Sequence, residues 1–69
     1  MKQTNRILEY MRRNKGITAL EAYREFGCLR LSARIFDLRK EGHLIATEHV
    51  PVQNRYGETV YVTRYKVVE

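Results

Sequence analysis

Residues 18–42 read T-A-L-E-A-Y-R-E-F-G-C-L-R-L-S-A-R-I-F-D-L-R-K-E-G. The opening T-x-x-E is a helix-start pattern. The Thr18 hydroxyl can accept from the backbone N–H three residues on, and Glu21 can reach back to the Thr18 N–H. Ala19, Ala22, Tyr23 and Phe26 then recur at helical spacing and predict one buried face. Ala22, being small, allows a second helix to approach closely. Gly27 follows Phe26 as a stop, because glycine adopts the left-handed conformation at little cost.

A second helix is expected over about 30–41, with Gly42 ending it. Leu31, Ile35 and Leu38 form its apolar stripe at i, i+4 and i+7. At about 100° per residue, Ala33, Asp37 and Lys40 point away from that stripe, with Arg30 and Phe36 on the flanks. Two helices joined by a short Gly-containing turn make a helix-turn-helix, whose second helix can enter the major groove of DNA.

The flanking sequence supplies support for this unit. Residues 2–14 predict an N-terminal helix, regular from about 4 to 14, with Thr4 or Asn5 as its cap and Ile7, Leu8, Met11 and Tyr10 as core candidates. Arg12, Arg13 and Lys15 gather at its end, a placement that suits both the helix dipole and contact with phosphate. Ile17, just before the Thr18 cap, can pack onto the following helix, and it has room for a strand of one or two residues.

Beyond Gly42 the period changes from helical to alternating. Residues 43–50 (H-L-I-A-T-E-H-V) and 59–68 (T-V-Y-V-T-R-Y-K-V-V) are rich in strand formers. Asn54 and Gly57 between them predict a β-hairpin spanning about 43–68. Pro51 places the first strand at a sheet edge or ends it. Tyr65 and Val67 are the expected inward positions of the second strand.

Size and charge restrict what the chain can do. At 69 residues it is a single domain, 1–69, with no room for both a core and an enzyme pocket. His43 and His49 have no nucleophile or carboxylate at a telling distance, so no enzyme is expected. Thirteen Lys and Arg against eight Asp and Glu give a net charge of +5. Residues 1–42 hold ten basic and five acidic residues, so the whole excess lies there; residues 43–69 hold three of each. Such a basic patch suits a polyanion. Cys28 is the only cysteine and forms neither an internal disulfide nor, with two separated histidines, a zinc set. A small buried residue at the turn is its expected role. No cofactor is expected, and no apolar run is long enough to span a membrane, which suggests an intracellular protein.

Three helices followed by a hairpin, in this order, resemble a winged helix-turn-helix domain. The stretch that carries the resemblance is residues 31–45, L-S-A-R-I-F-D-L-R-K-E-G-H-L-I. Leu31, Ile35, Leu38, Gly42 and Leu44-Ile45 match the family's apolar and glycine spacing. The likeness covers about residues 4–68. Residues 17–42 also look like small helix-turn-helix proteins encoded by phages and prophages. One departure concerns the turn. Many winged-helix regulators have about two more residues between the turn Gly and the first apolar residue of the recognition helix than lie between Gly27 and Leu31.

The resemblance implies an α+β fold of three helices and a hairpin wing, and a partner in double-stranded DNA. Arg30, Ser32, Ala33 and Arg34 would occupy the base-reading turns of the recognition helix. Arg can donate two hydrogen bonds to guanine, and a methyl group can meet that of thymine. Thr18, Arg39 and Lys40 suit phosphate, and Asn54, Arg55 and Tyr56 form the wing tip. The role implied is a transcription regulator of phage or prophage type, cytoplasmic in a bacterial or phage-infected cell. Two alternatives stand beside it: a recombination directionality factor, and a winged-helix module that binds a protein as adaptor or inhibitor. A homodimer or protein partner would extend the few base pairs one copy reaches.

Overall fold

The structure is a computed structural model and describes residues 3–68. Its elements are α1 (Gln3–Asn14), β1 (Ile17–Thr18), α2 (Ala19–Phe26), α3 (Leu31–Lys40), β2 (Ile45–Gln53) and β3 (Thr59–Val67). The three strands form one antiparallel sheet in the order β1-β3-β2. This is the expected α+β architecture, with Ile17 supplying the short extra strand by pairing with Tyr65.

The core is built from few side chains. Ile7, Leu8 and Met11 of α1 meet Ile17, Ala22, Cys28, Leu31, Ile35, Leu38 and Ile45. Tyr10, Phe26, Tyr65 and Val67 close it from the sides, so the inward face of β3 is the one expected. The Tyr10 and Phe26 rings meet edge to face, with centroids 5.8 Å apart and planes at 86°.

Helix α2 is narrower in its contacts than its spacing predicts. Ala22 is fully buried and Phe26 half-buried, but Ala19 is exposed and Tyr23 is 55% exposed. Eight residues make only two turns, and α2 approaches its neighbours along the line of Ala22. Ala19 and Tyr23 lie about 60° and 100° around the helix from that line. Helix α1 is already regular at Gln3, so Thr4 and Asn5 sit inside its first turn instead of capping it. The cap of α1 lies outside the described residues.

Backbone ends follow the glycines. After α3, the Gly42 N–H donates to the Arg39 carbonyl (3.1 Å) and the His43 N–H to that of Leu38 (3.2 Å), the paired closure that a left-handed residue permits. Gly16 serves a different need. A Cβ there would stand 2.5 Å from Arg64 Nε and 3.0 Å from the Tyr65 carbonyl oxygen, at a φ of +145°. The close approach lets Arg64 donate to the Asn14 carbonyl at 3.0 Å and hold the α1–β1 turn against the sheet.

The first strand of the hairpin ends later than its sequence suggests. Strand β2 continues through Pro51, which pairs with Tyr61, as far as Gln53. An edge strand tolerates proline because only one side of it is hydrogen-bonded to the sheet.

Candidate nucleic-acid interface

Helix α3 offers its inner stripe, Leu31, Ile35 and Leu38, to the core and presents the rest. The connection Gly27–Arg30 delivers it. Cys28 turns inward and is buried, while Leu29 is 81% exposed. Arg30 is the N-cap residue, and among the described residues no side chain caps this helix start. The Arg30 carbonyl accepts from the N–H groups of Ala33 (3.1 Å) and Arg34 (3.3 Å), which fixes the first turn through backbone alone.

The four expected base-reading residues do not share one environment. Arg30 and Ser32 are exposed at the tip, and Ala33 is half-covered. Arg34 lies on the α1 side, in a cleft with Gln3 and Thr4, where its Nη2 is 3.2 Å from Asp37 Oδ2. Its Nε is buried without a hydrogen-bond partner among the described residues.

Two of the three expected phosphate contacts are engaged inside the fold. The Thr18 hydroxyl accepts from the Glu21 N–H (3.3 Å), and the Glu21 carboxylate accepts from the Thr18 N–H (2.9 Å). Arg39 reaches back to the sheet, where its Nη2 donates to the Ile45 carbonyl (2.7 Å) and the Thr47 hydroxyl (3.0 Å). Its guanidinium carbon also stands 6.0 Å from the centre of the Tyr65 ring. Lys40 remains outside, with its ammonium 5.4 Å from the centre of the Phe36 ring, which is 61% exposed.

At the far end of the hairpin Asn54 shapes the turn. Its Oδ1 accepts from the N–H groups of Tyr56 (2.9 Å) and Glu58 (3.1 Å), and its Nδ2 donates to Glu58 Oε1 (3.2 Å). The Gly57 N–H donates to the Asn54 carbonyl at 3.0 Å. Arg55 and Tyr56 are left exposed at the tip, a short loop in which a positive-φ Gly57 restores the ladder. Among the described residues no cluster of three or more His, Cys, Asp or Glu could hold a metal ion, and no helix is long and apolar enough to cross a membrane.

A family model described as a winged helix-turn-helix domain matches residues 2–69 of this chain. The chain belongs to the winged helix-turn-helix domain family. Comparison with the curated proteins and with the solved structures returned no match. Within that family frame α3 is the second helix of the helix-turn-helix and β2–β3 the wing.

The winged-helix frame also contains an apolar groove. An open groove of about 1060 Å³ lies between the starts of α2 and α3 and the wing. Leu20, Leu29, Val50, Val52 and Val62 line it together with Arg30, Ser32 and Arg64. Val50 pairs with Val62 across the wing, and Val52 follows two residues on, so these three share a face. Leu20 and Leu29 join them only through the fold. Arg64, 3.9 Å from Glu48, was likewise invisible as an anchor, because its partner Asn14 is fifty residues away.

Proposed function

We propose that this winged helix-turn-helix protein binds duplex DNA as a transcription regulator of phage or prophage type, in the cytoplasm of a bacterial or phage-infected cell. The recognition helix enters the major groove, and the wing tip touches the minor groove or the backbone. The observation that carries this reading is the uncovered outer side of α3. Arg30, Ser32 and Lys40 lie exposed there, with Ala33 half-covered, in the part of the molecule that holds the net charge of +5. Arg30 reads base edges from the tip, and Ser32 and Ala33 stand beside it. Arg34 joins them by releasing Asp37, an exchange that an exposed i,i+3 pair worth about 0.5 kcal/mol or less does not prevent. Lys40 contacts phosphate, and Arg55 lies along the neighbouring minor groove. Thr18 and Arg39 act mainly by holding the frame, and only their outward atoms are left for phosphate.

The test is binding to short duplexes over a range of salt concentrations, with Arg30→Ala/Arg34→Ala and Arg55→Ala alongside. Counterion release predicts a linear fall of log K with log salt, with a slope of about −0.9 per phosphate contacted. The helix double variant loses preference among sequences. Arg55→Ala weakens binding across sequences and flattens the slope. A wild type that ignores duplex DNA at low salt rejects the reading.

A second reading has its own support. The apolar groove beside Arg30 suits a protein segment, which would make the chain an adaptor or inhibitor, or a recombination directionality factor that uses DNA and protein together. The wild-type duplex titration separates the two: an adaptor or inhibitor ignores duplex DNA even at low salt.

A further inference from the structure

Resting on the reading of α3 as a major-groove helix, we propose that Phe36 is a specificity residue that recognises the 5-methyl group of thymine. An aromatic side chain in the middle of a helix normally belongs to the core of so small a domain, yet this one is 61% exposed. At about 100° per residue it lies about 100° from Ile35 on the buried stripe, and within about 60° of Ser32, Ala33 and Lys40. It therefore stands among the side chains that face the base edges.

Its contact with Lys40 has the right chemistry to be exchanged. The Lys40 ammonium rests 5.4 Å from the ring centre. A cation held over an exposed ring is weakly bound, and a phosphate oxygen is the stronger partner for it. When Lys40 turns to the backbone, the ring is freed to meet a methyl group. Among the bases only thymine carries an apolar group in the major groove, and apolar side chains contact it there. Phe36 thus adds an apolar element beside Ser32 and Ala33, about 160° around the helix from Arg34.

The experiment begins with a duplex enriched by the wild-type protein from a library with a randomised centre. Each thymine is then replaced singly by deoxyuridine, which removes the methyl and keeps the pairing edge. At one or two positions the wild type weakens about fourfold, the worth of burying one methyl-sized group. Phe36→Ala binds the thymine duplex more weakly by a similar factor and no longer distinguishes thymine from deoxyuridine at those positions. Phe36→Leu restores part of the discrimination. The salt slope stays the same in all three proteins, because Lys40 still reaches phosphate; a general loss of fold would flatten it. Indifference of the wild type to every deoxyuridine overturns the proposal, as does a thymine preference that survives Phe36→Ala. Failure of the wild type to enrich or bind any duplex overturns the DNA reading and this inference together, so the two failures are distinguishable.

Discussion

The two helices of the helix-turn-helix begin in opposite ways. Helix α2 starts with a complete capping box, Thr18 and Glu21 each satisfying the other's backbone N–H, and Glu21 Oε2 also accepts from the Tyr10 hydroxyl of α1 at 3.4 Å. One carboxylate thereby ties α1, β1 and α2 together. Helix α3 starts on Arg30, whose backbone stands at φ −126°, ψ 60° and whose side chain caps nothing. Arginine is a poor N-cap, where Ser, Thr, Asp or Asn contributes about 1 kcal/mol. Helix α2 is thus closed by its own side chains, while α3 begins on an exposed arginine without a side-chain cap. Under the proposed function, the local rule is broken where the chain meets DNA.

The largest effect expected from this contrast is on binding. Arg30→Ala should weaken a preferred duplex by about 1–3 kcal/mol, the worth of one bidentate base contact, and should leave thermal stability nearly unchanged. Competition binding and a melting curve on the same samples check both halves. A large fall in melting temperature would mean that Arg30 supports the fold after all.

Next in size is the other helix start. Thr18→Ala removes the acceptor for the Glu21 N–H and should cost about 1 kcal/mol of stability. In a domain of this size that lowers the melting temperature by roughly 4–8 °C. Thr18→Ser keeps the hydroxyl and most of the stability. Equal losses for both would show that the methyl group, and not the cap, is what matters.

Arg30→Ser attacks the contrast from the side of α3. A hydroxyl at this N-cap should stabilise the domain by about 0.5 kcal/mol, the low end of the capping range because ψ is not fully extended. The same substitution should weaken duplex binding as Arg30→Ala does. Urea denaturation shows whether stability and affinity move in opposite directions. If stability does not rise, the bare start of α3 is no deficit, and the contrast between the helices loses its meaning.

How much of this was visible in the chain depends on the distance between partners. The capping box, the Leu31–Ile35–Leu38 stripe and the stop at Gly42 are written within a few residues, and all are found where spacing puts them. Ile17 as a strand follows from its place beside the cap. Tyr23 misled because periodicity gives the direction of a helix face but not its width, and α2 meets its neighbours only along Ala22. Arg39 looked free because nothing near it in sequence says that the Ile45 carbonyl and Thr47 hydroxyl will pass alongside. The groove of Leu20, Leu29 and the wing valines needs three separate elements to exist. Counting basic residues therefore does not show which of them also bond within the fold, as Arg39 and Arg64 do.

The smallest effect at neutral pH, and the sharpest test of the tie between α1 and α2, is Tyr10→Phe. The hydroxyl contact is long, so its loss should cost about 0.5 kcal/mol or less near pH 7. Partial burial raises the pKa of Tyr10 above the usual tyrosine value, and the nearby carboxylates of Glu21 and Glu25 add to the shift. In the unfolded chain the phenol loses its proton near pH 10, whereas the folded protein retains it to higher pH. Between those two values the folded state binds more protons, so stability falls as pH rises. Tyr10→Phe removes this share of the alkaline loss. Urea midpoints measured from pH 8 to 11 should show the wild type slightly ahead at the lower end and the variant gaining on it above about pH 10. A difference that stays constant with pH would mean that Tyr10 does not feel Glu21. The capping box would then close α2 alone, without binding it to the N-terminal helix.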